Sequence, residues 1–127
     1  MSRHFTKHYT LEEARALLPR VRKWLERLRN LRAEIREQEE RMTAMMSQGN
    51  DLGGPTVNSW IRNLADLREI FLEFHEREIQ IKDPERGLID FPSIMGGKEV
   101  FLCWEKDEED IEFWHDLDAG YAGREPL

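Results

Sequence analysis

Apolar residues recur at alternating intervals of four and three positions along one long segment of the chain. This spacing is typical of the buried seam of a coiled coil, and it predicts a first helix over residues 11–47. Thr10 and Glu13 have the spacing of a capping box, so the helix is expected to begin beside Thr10. Pro19 lies inside the helix and predicts a kink. The seam consists of Ala14, Leu18, Val21, Leu25, Leu28, Ile35, Met42 and Met46.

A second apolar line beside the seam makes the stripe too wide for one partner helix, which favours a helical bundle. It consists of Leu17, Trp24, Leu31 and Met45. A column of arginines seven residues apart flanks the seam. These side chains form either an anion-binding stripe or a solvated face that pairs with nearby glutamates. The column consists of Arg15, Arg22, Arg29 and Arg36.

A second helix is predicted over residues 57–78, after a hairpin loop marked by the glycines, Asn50 and Pro55 of residues 49–55. Ile61, Ile70 and Leu72 lie outside its main apolar stripe. We therefore expect helix 2 to pack against its symmetry mate in a homodimer. The main stripe, which is expected to pack on helix 1, consists of Val57, Trp60, Leu64, Leu67, Phe71 and Phe74.

Beyond helix 2 the period changes to short segments rich in branched and aromatic residues, which predict a small antiparallel sheet. Residues 95–98, Met-Gly-Gly-Lys, are expected to form one of its hairpins. At 1.5 Å per residue helix 1 is about 55 Å long and helix 2 only about 33 Å. The sheet is therefore expected to dock on the uncovered N-terminal half of helix 1 and to bury Trp24 beside Trp104 or Trp114. The tail after His115 is expected to lack regular structure.

The predicted fold class is α+β and mostly helical, with a long, coiled-coil-like antiparallel helical hairpin followed by the small antiparallel sheet. One domain is expected over residues 1–127, with the hairpin at 10–82 and the sheet and tail at 83–127. Charged residues make up 35% of the chain against 39% hydrophobic residues. This balance is typical of exposed helices.

The net charge of −7 argues against nonspecific binding of nucleic acid, which requires a clustered positive surface. No apolar run approaches the roughly 20 residues of a membrane-spanning helix. The single cysteine cannot form an internal disulfide, and the first residues do not resemble a signal peptide, so a soluble cytoplasmic protein is expected. His4 and His8 are expected to lie in a frayed terminus and are assigned no role.

Candidate chemistry is concentrated in the last third of the chain. The proposed metal ligands are His115, Asp116 and Asp118, with Asp90 and Cys103 as alternatives, because imidazole, thiolate and carboxylate groups all bind metal ions. Competing interpretations remain: Cys103 is a core residue or forms a nucleophilic pair with His115, and His115 is simply hydrogen-bonded at a strand end. The candidate ligand-binding residues are Asp90, Trp104, His115 and Arg124.

Three specific blocks, Gly-Leu-Ile-Asp-Phe-Pro at 87–92, Leu-Cys-Trp at 102–104 and Trp-His at 114–115, occur in the last third of the chain. With these blocks the chain resembles a bacterial family, the domain of unknown function 2203 (DUF2203) family. The likeness extends over almost the whole chain, and the family carries no assigned activity. The chain departs from the family pattern at residues 107–109, Asp-Glu-Glu, where a Gly-Glu turn is usual. The likeness also includes Phe-Thr at 5–6, Tyr-Thr-Leu-Glu-Glu-Ala at 9–14, Leu-Leu-Pro at 17–19 and Ala-Gly-Tyr-Ala-Gly-Arg at 119–124.

Two classes of function follow. One is an interaction or scaffold protein, in which a dimeric helical bundle displays the sheet to a protein partner. The other is a protein that binds a small ligand or metal, or an enzyme, with a site around Asp90, Trp104, His115 and Arg124. A site requires convergent polar groups, whereas a scaffold leaves them dispersed. Whether His115, Asp90 and Arg124 converge therefore distinguishes the two classes.

Overall fold

The computed structural model describes residues 3–127, which form two long helices followed by a five-stranded antiparallel sheet. This confirms the predicted α+β class. The strand order follows the sequence, so each strand pairs with its neighbour in the chain. The elements are α1 (Leu11–Ser47), α2 (Gly54–Glu76), β1 (Gln80–Asp83), β2 (Leu88–Met95), β3 (Lys98–Glu105), β4 (Phe113–Asp116), a short 3-10 helix (Tyr121–Gly123) and β5 (Glu125–Pro126).

Helix α1 begins with the predicted capping box. The Thr10 hydroxyl accepts a hydrogen bond from the Glu13 backbone N–H group, and the Glu13 carboxylate accepts one from that of Thr10. The helix continues through Pro19. No helix within residues 3–127 is both long enough and apolar enough to cross a membrane.

Helix α2 runs antiparallel to α1 and turns part of the predicted stripe inward, since Phe74 is buried and Leu67 packs against the core. Leu64 and Phe71, which were expected to pack on α1, are 37% and 38% exposed, whereas Ile70 and Phe74 are buried. The inward face also carries polar residues, since the Gln38 side chain of α1 bonds to Ser59 and Asn63 of α2. These polar residues interrupt the apolar pattern, and the prediction is wrong for Leu64, Phe71 and Ile70.

The hairpin between β2 and β3 forms where the glycines predict it. Gly96 and Gly97 have φ angles of 58° and 79°, in the left-handed region that residues with a side chain seldom adopt. The C-terminal tail differs from the prediction, because β5 pairs with β4 through Phe113–Pro126 and Trp114–Glu125. A strand of two residues is too short for alternation to reveal it.

The two faces of the sheet have different partners. Residues paired across the ladder share a face, and the pairs Ile89–Trp104 and Phe91–Leu102 belong to one hydrophobic core with α1. Trp24 is partly buried against this core and contacts Phe74 of α2 edge to face, with ring centroids 5.3 Å apart. The α1 residues in this core are Ala14, Leu18, Val21, Leu25, Leu28 and Leu31.

The arginine column of α1 contacts the sheet and its loops. Arg15 donates to the carbonyl of Ile111 and lies 3.1 Å from a carboxylate oxygen of Asp110. Arg22 lies over the Trp104 ring and donates to three carbonyls of the β3–β4 loop. The column therefore joins α1 to the sheet at these positions, a role that neither sequence interpretation included.

Candidate functional site

Three side chains with metal-binding donor atoms meet on the sheet face opposite α1. Asp90 of β2 and Cys103 of β3 are directly paired, and His115 of β4 pairs with Phe101, two residues from Cys103 along β3. Their donor atoms all lie within 4.8 Å of one another. Each residue is only 1% exposed. We call Asp90, Cys103 and His115 the buried cluster.

Hydrogen bonding determines which ring nitrogen of His115 carries a proton. Nδ1 lies 2.7 Å from the backbone carbonyl oxygen of Asp116. A carbonyl only accepts hydrogen bonds, so Nδ1 is the donor. Nε2 lies 3.0 Å from Oδ2 of Asp90, and this contact requires one proton, on either the imidazole or the carboxyl group. Nε2 is thus the ring nitrogen aimed into the buried cluster.

The second carboxyl oxygen of Asp90 is buried without a hydrogen-bond partner. Burial raises the pKa of Asp90, although the neighbouring His115 opposes the rise. An unpaired buried oxygen destabilises the fold unless a ligand or ion satisfies it. Oδ1 of Asp90 is therefore an oxygen without a partner that is available as a metal ligand within the buried cluster.

Cys103 is not an activated nucleophile in this arrangement. Burial, together with the negative charge of Asp90, raises the pKa of its thiol to about 12, while the Arg124 hydrogen bond opposes the rise. Nucleophilic cysteines react as thiolates and require a lowered pKa. The raised pKa of the thiol therefore disfavours a Cys103–His115 nucleophilic pair, although a bound cation would favour the thiolate form.

Arg124 covers the cysteine side of the buried cluster. Its Nη1 lies 3.9 Å from the sulfur of Cys103, and its two terminal nitrogens donate to the Glu108 carboxylate at 3.0 and 2.8 Å. The guanidinium lies over the rings of Phe113 and Tyr121, at 4.0 and 4.3 Å from their centroids. Glu108 belongs to the site through this ion pair, which the sequence did not indicate.

The structure brings together some of the predicted site residues and separates others. Asp90, His115 and Arg124 converge around Cys103, whereas the indole of Trp104 lies on the opposite face of the sheet and donates to the carbonyl of Glu108. Strand alternation explains the separation, because Trp104 follows Cys103 directly.

Two of the predicted metal ligands lie outside the buried cluster. The carboxylate of Asp116 lies 2.7 Å from the ammonium group of Lys98, and Asp118 is exposed. Within residues 3–127, the group of three metal-binding side chains consists of Asp90, Cys103 and His115. Asp116 contributes only its backbone carbonyl, which orients His115. The predicted ligand set of His115, Asp116 and Asp118 is therefore not assembled.

The N-terminal segment covers the same sheet face, which the sequence analysis missed. Phe5 contacts Phe101 edge to face, and Phe101 in turn contacts the His115 ring. The buried carboxylate of Glu99 binds the backbone N–H groups of His4 and Phe5 and the ring of His8, at 2.7 Å from Nε2. The four-residue spacing of the two histidines was visible in the sequence, but their partner Glu99 was not.

Replacing Glu99 with Gln is expected to reduce the acid sensitivity of the fold. Burial favours a higher pKa for Glu99, but hydrogen bonds from His8, His4 and Phe5 lower it to about 2 from 4.5. The pKa of Glu99 is lower in the folded protein than in the unfolded chain. The stabilisation that these hydrogen bonds give the folded protein is therefore complete above pH 4.5 and is lost as the pH falls towards 2.

Urea unfolding at neutral and acid pH measures this effect. At pH 7 the Glu99→Gln variant should be less stable by about 1–3 kcal/mol, since charged hydrogen bonds are lost. Near pH 3 the difference in stability between the variant and the wild-type protein should be smaller. An equal difference at both pH values would contradict the assignment.

Comparison with protein families matches residues 7–127 to the family described as "Uncharacterized conserved protein (DUF2203)". No curated protein and no solved structure matches the chain. The matched residues include both helices, all five strands and the buried cluster. The resemblance drawn from the sequence blocks is confirmed, and the chain belongs to the DUF2203 family.

Proposed function

We propose that the protein binds a transition-metal ion through the carboxylate of Asp90, the sulfur of Cys103 and Nε2 of His115. The observation that carries this proposal is the convergence of the three donor atoms within 4.8 Å of one another in a fully buried position. Zn²⁺ fits this mixture of oxygen, sulfur and nitrogen ligands, whereas Mg²⁺ and Ca²⁺ prefer oxygen ligands alone.

The hydrogen bonds of the buried cluster suit the proposed ion. A metal-bound histidine usually donates its other N–H group to a carbonyl or carboxylate, as His115 does to the Asp116 carbonyl. The ion would replace the proton shared by Nε2 and Oδ2 of Asp90, and the unpaired Oδ1 is a second oxygen through which Asp90 would be able to bind it. A thiolate and a carboxylate together would neutralise a divalent charge.

Small adjustments would bring the donor atoms to metal-binding distances. Ligand bonds of about 2.0–2.3 Å in a tetrahedral arrangement separate neighbouring donor atoms by about 3.3–3.6 Å. Nε2 and Oδ2 are now 3.0 Å apart, so they would move apart by a few tenths of an ångström. Three protein ligands leave a fourth position for an exogenous group.

Titration with Co²⁺ under reducing conditions tests the proposal. One equivalent should bind, with the charge-transfer absorption of a cobalt–thiolate bond, and Cys103→Ser, Asp90→Asn and His115→Gln should each weaken binding by about 100-fold or more. Asp116→Asn is the matched control and should bind normally. If the wild-type protein carries no metal as purified and binds neither Co²⁺ nor Zn²⁺ in equilibrium dialysis, the proposal is wrong.

A second candidate function, a dimeric scaffold, is supported by the outer surface of α2. Ile61, Leu64, Phe71 and Leu72 are exposed by 37–52%, and the first three share the heptad spacing of a helix–helix seam. In this proposal the sheet docks on the N-terminal half of α1 and is displayed to a protein partner.

The dimer can be tested by light scattering. The wild-type protein should be dimeric at micromolar concentration, and Ile61→Asp should weaken association by at least tenfold, because it places a charge in the seam. Met46→Asp is the matched control, since Met46 is 64% exposed but lies on α1. A monomeric wild-type protein at that concentration would contradict the scaffold proposal.

A further inference from the structure

Arg124 is held beside the buried cluster by contacts that do not depend on its ion pair. Its guanidinium lies 4.0 Å from the centroid of the Phe113 ring and 4.3 Å from that of Tyr121. Phe113 is paired with Cys103 across the β3–β4 ladder, which places its ring next to the cysteine. The aromatic contacts therefore orient the guanidinium towards the sulfur even when its hydrogen-bond partner is exchanged.

Arg124 forms a bidentate ion pair with the carboxylate of Glu108, the arrangement that oxyanions adopt with guanidinium groups. Nη1 and Nη2 donate to the two oxygens of Glu108 at 3.0 and 2.8 Å, and the same Nη1 lies 3.9 Å from the sulfur of Cys103. A single nitrogen thus contacts both the Glu108 carboxylate and a residue of the buried cluster. Carboxylate and phosphate ligands match this fork equally well.

Glu108 lies on the β3–β4 loop, and its partner Arg124 lies between the short 3-10 helix and β5. Its side chain is 20% exposed and that of Arg124 is 13% exposed, so solvent reaches the ion pair although it does not reach the buried cluster. Glu108 also accepts a hydrogen bond from the Glu105 N–H group. If the Glu108 side chain rotates away, the two terminal nitrogens of Arg124 become available to another ligand on the solvent side of Cys103.

We propose that the metal site takes an oxyanion, a carboxylate or a phosphate group, as its exogenous ligand. One oxygen would fill the fourth position on the ion, and the remaining oxygen of a carboxylate, or the remaining oxygens of a phosphate, would bind Arg124 in place of Glu108. This inference rests on the proposed metal site. It adds the chemical class of the ligand and makes Glu108 an internal competitor for the same guanidinium.

The experiment uses full-length protein loaded with Co²⁺, and it follows the cobalt absorption while acetate or inorganic phosphate is added. Either anion should change the spectrum, and the better one identifies the ligand as carboxylate or phosphate. Glu108→Gln should tighten anion binding by about tenfold, because the competing charge is removed, and Arg124→Gln should weaken it by about tenfold. Arg86→Gln is the matched control, since Arg86 also lies over Tyr121 but pairs with Glu105.

The outcomes separate the two proposals. If cobalt binds as expected but neither anion changes the spectrum at up to about 100 mM, in the wild-type protein and in Glu108→Gln, the oxyanion proposal is overturned and the metal site stands. If cobalt does not bind, both are overturned. The Glu108→Gln result decides the case even if Arg124→Gln does not fold, because a competitor's removal must strengthen anion binding.

Discussion

Replacing Trp104 with Ala is expected to lower the free energy of unfolding by about 3–5 kcal/mol, the range for truncating a buried aromatic residue. Trp104 is fully buried in the core shared by the sheet and α1. Its Nε1 donates to the carbonyl of Glu108, and the Arg22 guanidinium lies 4.9 Å from the centroid of its ring. The substitution therefore removes apolar contacts, a hydrogen bond and a cation–π contact between α1 and the sheet.

Urea denaturation followed by circular dichroism measures this loss, and Trp104→Phe provides the comparison. Phe keeps much of the apolar contact but cannot donate to Glu108, so its cost should be about 1–2 kcal/mol. The Trp104→Ala variant should also unfold α1 at a lower urea concentration than the wild-type protein. A loss below about 1 kcal/mol would contradict the proposed docking of the sheet on α1.

Zn²⁺ is expected to stabilise the folded protein by about 2.7 kcal/mol when its free concentration is one hundred times the dissociation constant. The three proposed ligands come from adjacent strands, so the unfolded chain cannot present them in one place. Binding to the folded state alone shifts the unfolding equilibrium towards the folded protein. The expected readout is a rise in the unfolding temperature under reducing conditions.

Two variants distinguish this effect from nonspecific stabilisation. Cys103→Ser should abolish most of the rise, because a serine hydroxyl is a much poorer ligand for Zn²⁺ than a thiolate. Asp116→Asn should keep it, since the Asp116 carboxylate lies with Lys98 and only its backbone carbonyl contacts His115. An equal rise in all three proteins, or no rise in the wild-type protein, would contradict the metal proposal.

Local sequence was sufficient for most of the secondary structure. The predicted bounds of α1, residues 11–47, agree with the observed Leu11–Ser47, because the capping box and the long apolar period are both local signals. The glycine hairpin between β2 and β3 was predictable for the same reason. The exposure of Leu64 and Phe71 on α2 was not, because it accompanies hydrogen bonds between Gln38 of α1 and the polar residues Ser59 and Asn63.

The sequence by itself determined the fold class, the family and the types of residue available for chemistry in the last third of the chain. It named Asp90, His115 and Arg124, and it placed Cys103 on the opposite face from Trp104. Only the tertiary structure decided that strand register sets Asp90 beside Cys103 and His115, and that Asp116 turns its carboxylate to Lys98. Residues on three strands meet through ladder register, and register depends on packing and turn geometry, so spacing along the chain does not reveal it.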